Sequence, residues 1–284
     1  TIVVPSKDGG KPWIPKNYDH KEHGMVPLHK ALAKSYNLAA VRVGMDIGVA
    51  RVVQTLRAMG ITRDIQMFPS LLLGSISLTP LEVAQIYQTL AGDGFSTPLK
   101  AIRAVVSQNG EKLQSYPFLP KQVVDPGAAF LTNTVLQEVM LKGTGTSAYK
   151  TFPKDYGLVG KTGTTNDAKD SWFAGYTGDY LAVVWTGRDD NKPIGLTGGH
   201  GALQVWIPLM KQISNQPVTL LPPDNIEMKR ICGVGKEYPF IEGSEPNGYA
   251  CSKPEPVEEE GEVIEEETVI PDAPESTTNL NFSE

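Results

Sequence analysis

The sequence lacks several features that would assign a protein quickly to a class. No run of about 18 apolar residues occurs, so no segment is expected to cross a membrane as a helix. The start at Thr1 shows neither an initiator methionine nor the basic-then-apolar pattern of a signal peptide. We therefore expect the chain to be a piece of a longer protein, with any membrane anchor or export signal upstream of Thr1.

Cysteine and histidine are scarce, which argues against a metal site. The two cysteines, Cys232 and Cys251, lie 19 positions apart in a stretch that contains Gly and Pro, and the four histidines are distant from them in sequence. Two free thiols and one disulfide both fit this pattern. We favour the disulfide, which would indicate an oxidising compartment.

Positive charge is also limited. The net charge of −6 comes from the end of the chain, because residues 254–284 hold eleven of the 32 acidic residues and no Lys or Arg. The remainder has 26 basic and 21 acidic residues, with no basic stripe or aromatic platform, so nucleic-acid binding is not expected. The acidic end contains Pro and few aromatic residues, which predicts a disordered tail.

Helical patterns fill the first half of the sequence and strand patterns follow them. Helices are predicted after Pro27 on both sides of a break at residues 35–37, over residues 48–60, from the capping box that starts at Thr79 to about Gly92, and from Asp125 to Gly143. Three short segments rich in aromatic and β-branched residues then predict strands at 158–165, 171–177 and 180–187, the last two forming a hairpin. A last helix passes through residues 203–210. This order indicates an α+β fold, an antiparallel sheet flanked by helices.

The segment GLVGKTGTT, residues 157–165, has two incompatible interpretations. A phosphate-binding loop needs a glycine five residues before Gly160, but Asp155 stands there and its carboxylate repels phosphate. A strand instead places the Thr162 and Thr164 hydroxyls on one face and leaves the backbone open at Gly163. We favour the strand, either as a site for an acyl donor with a terminal carboxylate or as a plain solvated edge.

Other segments support the first of these roles. Ser-Tyr-Asn at 35–37 and Lys-Thr-Gly at 161–163 resemble two of the three motifs of penicillin-binding proteins and class A β-lactamases: Ser-x-x-Lys, Ser-x-Asn and Lys-Thr-Gly. Longer runs resemble the transpeptidase domain of bifunctional, class A penicillin-binding proteins over about residues 10–255. These runs are LLLGSISLTPLEVAQIYQTLAGDG, the GTG at 143–145, GKTGTTNDAKDSWFAGYTGD and GRDDNKPIGLTGGHGA.

The resemblance implies a role for each motif residue. Ser35 would relay protons, Asn37 would hydrogen-bond a substrate amide, and Lys161 would bias the electric field at Ser35. The substrate-binding set would be Thr162, Gly163, Thr164 and Thr165. The hydroxyls of Thr162 and Thr164 would bind the terminal carboxylate, and the Thr164 N–H would form part of the oxyanion hole.

The first motif, which supplies the nucleophile, is not found in its expected place. The only Ser-x-x-Lys runs from Ser147 to Lys150, after the Ser-x-Asn motif instead of before it, and it is followed by Pro153. We interpret it as a chance match on a loop. The resemblance then implies that the nucleophilic serine lies upstream of Thr1 and that this chain alone is inactive.

The resemblance implies a peptidoglycan D,D-transpeptidase without metal or organic cofactor. Its ligands would be stem peptides ending in D-Ala-D-Ala, their acceptor amines, and β-lactams. The domain would face the periplasm from the inner membrane, anchored upstream, and would meet outer-membrane lipoprotein activators and division or elongation proteins. A β-lactamase, a D,D-carboxypeptidase and a β-lactam sensor remain alternatives. Three regions are predicted: a partial transpeptidase domain at 1–218, an extension at 219–253 and the tail at 254–284.

Overall fold

The computed structural model describes residues 2–5, 10–231 and 236–245. This part of the chain contains six α-helices and nine β-strands. The helices are α1 (Leu28–Ala33), α2 (Asn37–Ile47), α3 (Val49–Ala58), α4 (Pro80–Ala91), α5 (Pro126–Lys142) and α6 (Ala202–Ile213). The strands are β1 (Phe95–Ser96), β2 (Ala104–Val106), β3 (Lys112–Ser115), β4 (Lys121–Gln122), β5 (Val159–Thr164), β6 (Ser171–Tyr176), β7 (Leu181–Thr186), β8 (Ile226–Arg230) and β9 (Glu237–Ile241).

Local sequence signals set the starts of helices α4 and α5. The Thr79 hydroxyl accepts a hydrogen bond from the Glu82 N–H, and the Glu82 carboxylate accepts one from the Thr79 N–H, which forms the predicted capping box of α4. The Asp125 carboxylate accepts a hydrogen bond from the Ala128 N–H at 2.9 Å and so caps α5. A proline stands at the first position of both helices. These predicted starts are confirmed.

The central element is an antiparallel sheet in the order β5–β6–β7, with the predicted hairpin between β6 and β7. Helix α6 packs on one face, where Phe173 and Trp206 are fully buried. Helices α4 and α5 pack on the opposite face around Val139, Val159 and Tyr176. Helices on both faces of an antiparallel sheet confirm the predicted α+β class.

Strand alternation assigns the motif residues to these faces. Thr162 is paired with Phe173 in the register of β5 and β6, so it lies on the face of α6. Lys161 is paired with Ala174 and lies on the opposite face, which is the side of α1 and α5. The cation and the hydroxyls of the motif therefore leave the strand in opposite directions.

The expectation that strands begin only after Gly143 is wrong. Strands β1–β4 lie between α4 and α5 and pair as β1 with β4 and β2 with β3. They contain two to four residues each, and every residue of β2 and β3 is exposed. Such strands bury no face and so leave no apolar alternation in the sequence.

A further hairpin, β8–β9, lies within the predicted extension and contacts α5. The Asn225 amide nitrogen lies 3.3 Å from both carboxylate oxygens of Asp125.

Three expectations from the sequence stay predictions. The division of the chain at residues 218 and 253 is one of them. The disulfide and the disordered tail are the others, because Cys232, Cys251 and residues 254–284 lie outside the described residues. Among the described helices none is long and apolar enough to cross a membrane.

Candidate active site

The Ser-Tyr-Asn motif forms the turn between α1 and α2. The Ser35 N–H donates to the Leu32 carbonyl at 3.0 Å, and the Tyr36 N–H donates to the Ala31 carbonyl at 2.8 Å, which closes α1 as a Schellman motif. Its left-handed position, where glycine is usual, is occupied by Ser35 with φ of +58°. A non-glycine residue there costs free energy, and such strain occurs preferentially at functional sites.

A loop distant in sequence supports this turn. The Asn17 side-chain oxygen accepts a hydrogen bond from the Leu38 N–H at 3.0 Å and caps the start of α2. The Asn37 amide nitrogen donates to the Lys16 carbonyl at 2.9 Å, so this nitrogen already has a partner within the protein. No local pattern in the sequence indicates this support, because the contacting residues are 21 positions apart along the chain.

The predicted pair of Ser35 and Lys161 is brought together across 126 positions of sequence. The Lys161 ammonium Nζ donates to the Ser35 hydroxyl oxygen at 2.9 Å and to the Thr162 carbonyl at 3.1 Å. Burial lowers the pKa of Lys161 to about 8 because the charged form is poorly solvated there. A serine oxygen that accepts from Lys161 keeps its own proton for a third group, so the pair is suited to proton relay.

Strand β5 presents a free backbone edge beside this pair. The Thr165 N–H donates to the Asp170 carbonyl across the turn into β6. Backbone N–H groups alternate in direction along an antiparallel ladder. Those of Lys161 and Gly163 therefore also point toward β6, and those of Thr162 and Thr164 point away from it. No described strand pairs with β5 on that side. The Thr164 N–H is therefore placed where a carbonyl oxygen of a ligand could accept from it.

The two motif hydroxyls on the α6 face have protein partners. The Thr162 hydroxyl lies 2.6 Å from that of Thr144, which belongs to the GTG segment after α5. The Thr164 hydroxyl accepts from the Gly198 N–H at 2.9 Å. A Cβ atom at Gly198 would lie 2.7 Å from the Gly163 carbonyl oxygen, so only glycine allows this approach. The GTG segment resembles the family in sequence, but no sequence pattern indicates a role for Thr144.

Thr165 is used differently from its neighbours. Its hydroxyl donates to the Asp170 carboxylate at 2.9 Å and accepts from the Asp170 N–H at 2.8 Å. The other carboxylate oxygen of Asp170 accepts from the Trp185 indole N–H at 2.9 Å. The Thr165 hydroxyl thus closes the turn between β5 and β6, and its contact with a substrate stays a prediction.

Two sequence alternatives can be judged from these placements. Gly160 and Lys161 lie inside β5 and do not precede a helix, so the phosphate-loop interpretation is not supported. The segment from Ser147 to Lys150 forms a short 3-10 helix instead of the expected loop, and the Ser147 hydroxyl accepts from the Gln204 amide at 3.1 Å. No cluster of three His, Cys, Asp or Glu side chains suited to a metal ion occurs among the residues described.

Comparison with known proteins assigns this arrangement to a family. The family model of the penicillin-binding protein transpeptidase domain matches residues 4–199, which include both motifs. The chain belongs to the penicillin-binding protein transpeptidase family. This result confirms the resemblance on which the roles of the motif residues depend.

Individual relatives support the class A assignment. Penicillin-binding protein 1B of Vibrio cholerae is 44% identical over 220 residues, which is 76% of this chain and 28% of that protein. Its counterpart in Escherichia coli is 39% identical over 76% of this chain and 26% of that protein. The crystal structure of penicillin-binding protein 1A from Haemophilus influenzae matches with a TM-score of 0.78 and 26% identity, over 86% of this chain and 44% of that chain. The chain thus spans less than a third of the length of these two 1B relatives.

Proposed function

We propose that this chain is the carboxy-terminal part of a peptidoglycan D,D-transpeptidase domain of the class A type. The observation that carries the proposal is the 2.9 Å contact between Lys161 and Ser35 at the open edge of β5. This edge carries a pair suited to proton relay on one face of β5 and two hydroxyls on the other, with backbone N–H groups between them that no described strand pairs with. Acyl transfer from a peptide with a terminal carboxylate needs this set of groups.

In the complete reaction, a serine upstream of Thr1 would attack the D-Ala-D-Ala peptide bond and form an acyl-serine intermediate. As the C–N bond breaks, Ser35, held by Lys161, would pass the proton given up by the attacking serine to the nitrogen of the departing D-Ala. The Thr164 N–H would donate to the carbonyl oxygen as negative charge develops on it. The Thr162 and Thr164 hydroxyls would bind the terminal carboxylate, and Asn37 would contact the peptide amide. An acceptor amine of a neighbouring stem peptide would then take the acyl group.

β-Lactams would acylate the same serine, in keeping with the name of the 1B relatives. In this proposal the domain works on the periplasmic side of the bacterial inner membrane, held by an anchor upstream of Thr1. Outer-membrane lipoprotein activators and division or elongation proteins would be its protein partners. The chemistry described above uses side-chain and backbone groups alone, without a cofactor.

The test uses the longer protein that contains this chain. We expect fluorescent penicillin to label it, and mass spectrometry to locate the adduct on a serine upstream of Thr1. A pentapeptide substrate with an amine acceptor should give cross-linked product. Labelling that maps to Ser147, or that is abolished by Ser147→Ala, would show that the nucleophile has been misplaced. Hydrolysed product without any cross-link would favour a carboxypeptidase or β-lactamase.

A further inference from the structure

Thr144 lies beside the carboxylate-binding hydroxyls and has no part in the function described so far. Its hydroxyl oxygen is 2.6 Å from that of Thr162, and the side chain of Thr144 is exposed. Thr144 belongs to the segment after α5, 18 positions before Thr162. Two hydroxyls at this distance form one hydrogen bond, and either of them can be its donor.

The backbone around Thr144 is tightly fixed. The N–H groups of Gly143 and Gly145 both donate to the Val139 carbonyl, at 3.1 and 3.0 Å. A Cβ atom at Gly143 would lie 2.1 Å from the Ala33 carbonyl oxygen, and one at Gly145 would lie 2.4 Å from the Met140 sulfur. The Ala33 carbonyl therefore admits only glycine at position 143, and Gly145 packs closely on the buried Met140, so Thr144 between them has little freedom to move.

The two ligand-binding hydroxyls then have matching environments. Thr164 accepts from the Gly198 N–H, which leaves the Thr164 proton free to be donated. Among the described residues, the hydroxyl partner of Thr162 is the Thr144 side chain and not a backbone N–H. A carboxylate can only accept, so Thr162 must donate its proton to the ligand, and its oxygen is then free to accept from Thr144.

We propose that Thr144 is a positioning residue that donates to Thr162 and so directs the Thr162 proton toward the terminal carboxylate of the ligand. Thr144 would do for Thr162 what the Gly198 N–H does for Thr164. Hydrogen bonds that form a chain toward an anion strengthen one another, so loss of the first donor weakens the second. This inference rests on the proposed function, because it names a further residue for the same site.

The experiment compares Thr144→Val with Thr144→Ser in the longer protein, using benzylpenicillin and its methyl ester as probes. We expect Thr144→Val to slow acylation by the free acid roughly 2- to 13-fold, the range of one neutral hydrogen bond. Acylation by the ester, which has no carboxylate, should change little. Thr144→Ser keeps the hydroxyl and should restore the wild-type rate with the free acid.

Two controls separate positioning from a structural role. Thr146→Val changes an exposed threonine two residues along the chain and should leave both rates unchanged. In a protein that already carries Thr162→Val, Thr144→Val should have no further effect, because its partner hydroxyl is gone. Additive losses in this pair would overturn the proposal, as would equal losses with acid and ester.

The result also distinguishes this inference from the function on which it depends. If the wild type is acylated faster by the acid than by the ester and Thr144→Val preserves that preference, Thr144 is not a positioning residue and the proposed function stands. If neither probe acylates the wild type, the proposed function fails and this inference fails with it.

Discussion

The two sides of the site are built in different ways. On the helical side, Ser35 stands in a left-handed turn that is closed by two backbone bonds and followed by a helix start that the distant Asn17 caps. On the sheet side, Lys161, Thr162 and Thr164 follow the regular ladder of β5 with β6. A ladder fixes side-chain directions through many equivalent bonds, whereas the turn depends on a few particular ones. Substitutions on the sheet side should therefore change the acylation rate. Substitutions of residues that support the turn should change the stability of the fold as well.

The largest effect is expected from Lys161→Ala. The substitution removes the donor to Ser35 and a charge from a partly buried cleft, where Coulomb energies exceed their values in water. We expect acylation of the longer protein by penicillin to slow by about 100-fold or more, as for loss of a key electrostatic group. Thermal melting should stay near the wild-type temperature. A large drop in melting temperature with modest loss of acylation would make Lys161 a structural residue.

Thr162→Val tests the hydroxyl face of the same strand. Valine keeps the volume and the strand propensity, so the fold should persist. Loss of one hydrogen bond to a charged carboxylate corresponds to about 1.5–3 kcal/mol, or roughly 10- to 150-fold in the second-order rate of acylation. The rate is measured with a carboxylate-bearing β-lactam. Wild-type rates in this variant would contradict a carboxylate site on β5.

Asn17→Ala tests the helical side through its support. It removes the side-chain cap on the Leu38 N–H at the start of α2. Loss of such a cap costs about 0.5–2 kcal/mol in the free energy of unfolding. Urea denaturation of the chain followed by circular dichroism would measure the loss. An unchanged midpoint would show that the turn does not depend on the loop at residue 17.

Ser35→Gly and Ser35→Ala form a matched pair, because both remove the hydroxyl and only glycine tolerates positive φ. We expect the glycine variant to be more stable than the alanine variant by about 1 kcal/mol, the cost of left-handed backbone for an L-residue. Acylation should be impaired equally in both. Equal stability of the two variants would mean that the turn carries no strain, and the contrast between the two sides would weaken.

The smallest effect concerns pH. The pKa of Lys161 is lowered by burial to about 8, from 10.5 without burial. Between these values the unfolded chain binds more protons than the folded chain, so the free energy of unfolding should rise with pH from about 8 to 10.5. Lys161 is half-buried, so water screening keeps the change modest. Denaturation midpoints of wild type and Lys161→Met, compared across this range, isolate the contribution of Lys161.

Local signals in the sequence predicted most of the framework. Capping residues located α4 and α5, and β-branched and aromatic runs located β5, β6 and β7, because these signals act between residues a few positions apart. The short strands β1–β4 escaped because they bury no face. The joint role of Ser35 and Lys161 follows from the resemblance of their motifs to those of a family, and no periodicity indicates it.

The sequence by itself determined the order of the elements, the strand placement of Lys161, Thr162 and Thr164, and the break that contains Ser35. Only the tertiary structure decided which groups meet: Lys161 with Ser35, Thr162 with Thr144, Thr164 with Gly198, and Asn17 with the start of α2. The physical reason is range. Helix caps and strand alternation act within a few residues, whereas these four contacts join positions 18 to 126 residues apart, and packing of the helices on the sheet brings them together.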